Sequence, residues 1–437
     1  MRRMTHYATS YIIDNNCMRK KFKRLLKALG PGFITGASDD DPSGISTYTQ
    51  TGVKFGYQQL WLSLFSIPFM TAIQEICGRI GMVTGKGLSE IIRERYPRWI
   101  LFFSVTLLLI ANVVNIGADL GAMASSTQLL INIPFWIILP LIAGIILLLE
   151  IFVSYKRYSK ILKYLTISLF AYVATAFIVN QSWTEILHAT FIPFLSLEEH
   201  YILNIVAFLG TTISPNLFFW QASEEVEEEI AEKKLLLTKL LPPRIKFRDI
   251  AGMRIDTAVG MVFSNIISFF IVVTAAATLH AQGITNIETA EQAANALRPL
   301  AGDLTFLLFA LGIIGTGFLA IPVLAGSSAY AFSDAVGWKA GLFRKFKQAH
   351  GFYGVIIFAT LIGLIINFTP IKPFTMLYYA AVLNGIIAPP LMVIIMLISN
   401  NSRIMGGYKN SRTSNVLGWT ITAIMSLASI FLLISIL

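Results

Sequence analysis

The stretch Ile34-Thr35-Gly36-Ala37-Ser38-Asp39-Asp40-Asp41-Pro42-Ser43-Gly44-Ile45 decides the fold. It lies in a helix-length run, Ile34 to Thr51, that is otherwise suited to a membrane. One unpaired carboxylate there costs several kcal/mol, and three adjacent ones cost more. Such a cluster survives only against water, an opposite charge or a bound cation. Pro42 and Gly44 also predict a broken helix, which frees backbone carbonyls beside the carboxylates. Anionic groups and loose carbonyl oxygens at membrane depth point to a cation site.

The surrounding chain supports a membrane setting. Its 437 residues are 55% hydrophobic and 13% charged, with a mean hydropathy of +0.68, the composition of an all-α multi-spanning protein. The apolar runs are about 20 residues long, which disfavours a transmembrane β-barrel with its alternating segments of about 10. Eleven runs are expected to span, near 25–52, 57–82, 99–128, 134–153, 161–180, 201–223, 255–281, 303–333, 351–369, 374–399 and 414–436.

The net charge of +10 follows topology and excludes a nucleic-acid partner. Of the 34 Lys and Arg, all but Lys54, Arg298 and Lys372 fall on one side of this map. By the positive-inside rule that side is the cytoplasm, so the amino terminus is expected inside a cell membrane and the carboxyl terminus outside. Residues 1–24 form a basic extension without the apolar core of a signal peptide. Met18 heads Met18-Arg19-Lys20-Lys21 and is an alternative start, which would make the first 17 residues a disordered or mis-assigned extension. Two cysteines, Cys17 and Cys77, make a disulfide framework or thiolate metal site unexpected.

A second break is expected at Gly210-Thr211-Thr212-Ile213-Ser214-Pro215-Asn216, in the sixth span. Two interrupted helices five apart fit an inverted five-plus-five repeat, with the substrate between them at the midplane. The core would cover 25–400, with repeats of about 25–180 and 201–399, and 401–437 would add a connection and the eleventh span. The longest polar interruption, 224–254, opens with Glu224, Glu225, Glu227, Glu228 and Glu229 and then turns basic. That pattern predicts a solvated cytoplasmic helix. Residues 281–302 form an external connection with a short helix through Ala290 to Leu297.

Taken together, these residues resemble the NRAMP family of divalent-metal transporters. Gly30-Pro31-Gly32-Phe33, then seven residues, then Asp41-Pro42-Ser43-Gly44 is similar to that family's first helix, where the motif is Asp-Pro-Gly-Asn. Phe55-Gly56-Tyr57 through Trp61, Gln74 with Arg79-Ile80-Gly81 and Thr84-Gly85, and Ile255-Asp256-Thr257-Ala258 extend the resemblance, which runs from about residue 28 to 400. It implies a LeuT-like fold, alternating access, and cation uptake through helices one and six, with no cofactor and no enzymatic activity.

Departures from the family refine that expectation. Asp41 keeps the family's Asp, but Gly44 replaces its Asn, Ser214 stands where its sixth-helix Met is expected, and Thr211 takes the place of an alanine whose carbonyl is a ligand. Loss of the thioether removes the soft ligand that favours transition metals. Carboxylate, hydroxyl and carbonyl oxygens remain, the ligand set of Mg²⁺ or Ca²⁺. With Asp40 and Asp39 adding charge, the pattern resembles the NRAMP-related magnesium transporter branch, with Mn²⁺ a possible second cargo. The expected ligands are Asp41, Thr211, Ser214, Gly44 and Asp40, and the expected pathway residues Asp39, Asn216, Asn384, Gln74 and Asp119.

Proton coupling is not expected. Asn216 replaces the sixth-helix His, the third-helix Asp and Glu become Asn115 and Ala118, and the ninth span has no arginine. A divalent cation entering a negative cytoplasm gains about 4.6 kcal/mol per 100 mV, so uniport suffices.

Blander readings stay beside these. Asp40 or Asp39 would face Arg79 or cap the broken helix. Ser214 and Thr211 would back-bond within their own helix, and Asn216 and Asn384 would glue helices together. Glu75 and Arg79, four apart, are expected to form a structural pair. The rivals are an ordinary proton-coupled Mn²⁺/Fe²⁺ transporter, an amino-acid symporter of the same fold and an intramembrane enzyme. Three acids would repel a substrate carboxylate, and no second span supplies a matching catalytic acid or His. Lipids are the other expected partners. The sequence leaves the oligomeric state open, a monomer being sufficient.

Overall fold

A computed structural model describes residues 31–153, 168–231, 235, 243 and 245–436. The basic extension, Cys17, the first part of the fifth span and most of the 232–244 connection lie outside the described residues. All regular structure among those described is helical.

The first span is broken where the acids stand. α1 (Pro31–Asp39) ends, Asp40 and Asp41 lie outside regular helix, and α2 (Pro42–Phe55) begins. Pro42 suits the first helical position, because its missing N–H would have no partner there and its fixed φ is already helical. Asp41 is extended, at φ −72° and ψ 174°, and caps α2 with its side chain. The chain continues through α3 (Trp61–Thr84), α4 (Leu88–Arg95), α5 (Arg98–Gln128), α6 (Phe135–Phe152), α7 (Phe170–Ile178) and α8 (Trp183–Phe191).

The sixth span repeats the device. α9 (Glu199–Thr212) stops at Ile213-Ser214, and α10 (Pro215–Ala231) restarts on a proline. Then come α11 (Phe247–Thr278), α12 (Thr305–Val336), α13 (His350–Ile366), α14 (Pro373–Asn400) and α15 (Arg412–Ile436), with a short helix at Ala290–Ala294 in the external connection. Seven helices among the described residues are long and apolar enough to cross a membrane. The shorter apolar helix α13 lies on the ninth expected span, and the first part of the fifth expected span falls outside the described residues.

Small residues bring the broken helices against their supports. A Cβ on Gly36 would lie 2.3 Å from the backbone of Gly260, so α1 rests directly on α11. A Cβ on Gly210 would lie 2.2 Å from the Ala381 carbonyl oxygen, seating α9 on α14. Close backbone approach of this kind drives helix association in lipid, where burial of apolar side chains gains little. The amide of Gly32 donates to Asp256 Oδ2 on α11 at 2.8 Å, which ties down the amino end of α1.

Large apolar side chains face outward, and the interior mixes an apolar core with many buried polar groups. Trp136, Leu148, Phe152, Phe358 and Leu427 are exposed, whereas Thr47, Thr49, Gln50 and Thr51 of α2 are buried.

The solvated helix expected at the start of the 224–254 connection is corrected. Glu224, Glu225 and Glu229 are only 5%, 3% and 2% exposed. The sixth span runs on through them, because α10 packs between α3 and α12. Gln221 Nε2 donates to Glu225 Oε1 at 2.9 Å, and the Tyr330 hydroxyl of α12 donates to Glu227. These acids face protein.

Candidate metal centre

The two breaks meet. A Cβ built on Gly44 would have three oxygens as its nearest neighbours: Asp39 carbonyl O at 3.2 Å, Thr211 Oγ1 at 3.3 Å and Asp41 Oδ1 at 3.4 Å. Because residue 44 has no side chain, oxygens from both broken helices face one small space. The Tyr48 and Thr212 hydroxyls, 3.3 Å apart, link the same two helices.

Asp41 combines two roles. Its Oδ1 accepts from the Gly44 amide at 2.6 Å and the Ser43 hydroxyl at 2.7 Å. These bonds satisfy donors at the start of α2, as an N-cap does. Both fall on one carboxylate oxygen. The capping role offered for Asp39 or Asp40 therefore belongs to Asp41.

Asp39 and Asp40 turn toward the seventh span. The Ser264 hydroxyl of α11 lies 2.6 Å from Asp39 Oδ2 and 3.2 Å from Asp40 Oδ1, and its single proton serves one at a time. Among the described residues Asp39 Oδ1 and Asp40 Oδ2 have no hydrogen-bond partner, though both are buried. Two carboxylates so placed need a cation or a shared proton. Neither pairs with Arg79. That guanidinium binds Glu75 Oε1 at 2.9 Å and Asn410 Oδ1 at 2.7 Å, so the structural Glu75–Arg79 pair is present.

At the second break the Ser214 hydroxyl donates to Asn216 Oδ1. Its proton thus points away from its own lone pairs, which stay able to face a cation. Thr212, not Thr211, makes the back-bond within α9, to Phe208 O at 2.8 Å.

Three expected pathway residues carry unused hydrogen-bonding capacity. Among the described residues both side-chain polar atoms of Gln74, both carboxylate oxygens of Asp119 and Oδ1 of Asn384 are buried without a partner. Asp119, on α5, lies within electrostatic reach of Asp41. Asn115 Oδ1, one turn earlier, is likewise bare.

Ser264 is the residue that sequence reasoning missed. Its signal was the polar pair Ser264-Asn265 in the middle of the seventh span. Among the described residues no three His, Cys, Asp or Glu side chains are grouped to hold a metal ion. A cation at the breaks would therefore rely on hydroxyls, carbonyls and water beside its carboxylates.

Comparison with known proteins sets this geometry in context. The family described as natural resistance-associated macrophage protein-like (Nramp) matches residues 32–435. The divalent metal cation transporter MntH of Klebsiella pneumoniae (strain 342) is 25% identical over 426 residues, covering 95% of this chain and 96% of that one. The structure of the Eremococcus coleocola manganese transporter in complex with an aromatic bis-isothiourea substituted compound superposes with a TM-score of 0.77 at 16% identity, over 93% of this chain and 86% of that one. Mhp1, a nucleobase-cation-symport-1 family transporter in a closed conformation, gives 0.55 at 14% identity, over 93% and 89%. The architecture is LeuT-like.

Proposed function

The chain belongs to the Nramp family, and from that premise we propose that it carries Mg²⁺, with Mn²⁺ as a possible second cargo, by alternating access without proton coupling. Metal-ion transport rather than catalysis is the business of its relatives, the MntH divalent metal cation transporter among them. The metal itself is cargo.

The observation that carries the magnesium reading is the set of oxygens that meet around Gly44: Asp39 O, Thr211 Oγ1 and Asp41 Oδ1. All three neighbours are oxygens, and the second break offers the Ser214 hydroxyl rather than a thioether, which would favour a softer ion. Mg²⁺ dehydrates reluctantly and keeps several waters, binding through one or two carboxylates. The bare polar atoms of Gln74, Asn384 and Asp119 suit the outer face of such a hydrated ion, since buried polar groups and water satisfy each other. Asp40 and Asp39, sharing Ser264, supply negative charge beside it.

The inverted repeats over about 25–180 and 201–399, the cytoplasmic amino terminus and the extracellular carboxyl terminus belong to the same proposal. The breaks at Asp40-Asp41 and Ile213-Ser214 and the charge bias support them.

Asp119 favours the second reading, a proton-coupled Mn²⁺ or Fe²⁺ transporter. A buried acid close to Asp41 and to the Ser43 backbone amide is a place for a proton. Reconstitution in liposomes holding Mg²⁺ or Mn²⁺ indicators, with a pH dye in parallel, separates the two. Mg²⁺ influx without acidification is expected. Flux of Mn²⁺ alone, or acidification driven by metal, would overturn the proposal.

A further inference from the structure

We propose that a cavity at the end of α6, remote from the helix breaks, binds the headgroup of an amine-bearing glycerophospholipid, phosphatidylethanolamine. The cavity holds about 720 Å³ between the end of α6, the middle of α12 at Pro322, the first turns of α13 and the connection that precedes α13. Glu150, two residues from the end of α6, lines it. Its side chain is only 6% exposed, and neither carboxylate oxygen has a hydrogen-bond partner among the described residues. The nearby Tyr353 hydroxyl does not serve it, because it donates to the Arg344 carbonyl at 2.8 Å.

A bare carboxylate at membrane depth takes up either a proton or a positive partner, and a cavity of this size beside it leaves room for the partner. The other charges on the cavity wall decide which kind. Arg344, Lys345 and Lys347 border the same space, with both lysines exposed. A divalent cation would meet one acid and three bases, a poor site. A purely anionic headgroup would satisfy the bases and leave Glu150 unanswered. A zwitterion with an ammonium at one end and a phosphate at the other answers both. The primary ammonium donates hydrogen bonds to Glu150, which a trimethylated choline lacks the N–H to do. The phosphate meets the basic rim, and Phe152, 77% exposed, opens the cavity toward lipid. This rim lies on the side that the charge bias assigns to the cytoplasm, where basic residues meet lipid phosphates.

Native mass spectrometry of the delipidated full chain, offered phosphatidylethanolamine, phosphatidylcholine or phosphatidylglycerol of equal chain length, tests the assignment. Phosphatidylethanolamine should be retained at least tenfold over phosphatidylcholine, and Glu150→Gln should abolish that preference. Ile357→Trp, which narrows the cavity with a bulkier ring and leaves Glu150 in place, should weaken it too and decides the matter if Glu150→Gln does not fold. Equal retention of the ethanolamine and choline lipids would overturn the proposal, as would an undiminished preference in either variant. Stronger retention of phosphatidylglycerol would show that the basic rim acts alone, and loss of all three lipids would show that the cavity holds none.

Discussion

The hydroxyl oxygen of Thr211 stands 3.3 Å from the point where a side chain on Gly44 would begin. One broken helix thus reaches the other across a space that only glycine leaves open. A methyl group there would press on Thr211 Oγ1, Asp39 O and Asp41 Oδ1 together, each of which would have to give by a few tenths of an ångström. Gly44→Ala should fold, since residue 44 lies in the first turn of α2, and lower Mg²⁺ flux about tenfold, equivalent to about 1.4 kcal/mol. Liposome flux beside the thermal midpoint checks this. Unchanged flux would remove the space at Gly44 from the pathway.

Asp41 allows its charge to be separated from its cap. Asn caps helices as well as Asp does, so Asp41→Asn should keep the bonds now made by Ser43 and Gly44 while removing the negative charge. Its stability should stay close to that of the native chain while transport is lost. Asp41→Ala should lose transport and about 1 kcal/mol of stability as well. If Asp41→Asn transports normally, the carboxylate serves only to begin α2.

Both helix breaks were legible in the sequence, and the reason is energetic. Acids and prolines inside apolar runs are so costly that each demands a local explanation, and both breaks fell where Asp39–Gly44 and Thr211–Asn216 implied. Ser264 was invisible because a serine in a spanning helix ordinarily bonds its own backbone. Nothing local tells that it reaches Asp39, 225 residues away. The burial of Glu224, Glu225 and Glu229 was misread for a related cause. Acid–base spacing shows that a helix tolerates its charges, but not whether Tyr330 of a facing helix waits beside them.

Ser214 tests ion choice. Ser214→Met would restore a soft thioether and remove the hydroxyl now donated to Asn216. Isothermal titration should show Cd²⁺ or Mn²⁺ binding strengthened by about tenfold, about 1.4 kcal/mol, with Mg²⁺ flux reduced. Equal Cd²⁺ affinity in both proteins would mean that the missing thioether does not set selectivity.

Arg79 is a structural prediction at the far end of α3. Although 2% exposed, it holds four partners: Glu75 Oε1 at 2.9 Å, Glu75 Oε2 at 3.3 Å, Asn410 Oδ1 at 2.7 Å and the Tyr408 carbonyl. Arg254 reaches the same Glu75 oxygen at 2.8 Å. Asn410 in turn donates to Ser399 Oγ at 2.9 Å, so the guanidinium pins the connection after α14 onto α3. A lysine has one compact ammonium and lacks the fork needed to meet a carboxylate and an amide oxygen at once. Removing a partner from a buried pair costs about 3–5 kcal/mol, because the remaining charge is stranded. Arg79→Met should cost less than that in chemical or thermal unfolding, because Arg254 still faces Glu75, and Arg79→Lys should recover part of the loss. Glu75→Gln with Arg79→Met should be less destabilised than the two single changes combined, by a coupling of about 0.5–3 kcal/mol. Simple additivity would mean that Arg79 stabilises the fold through Asn410 and Tyr408 alone.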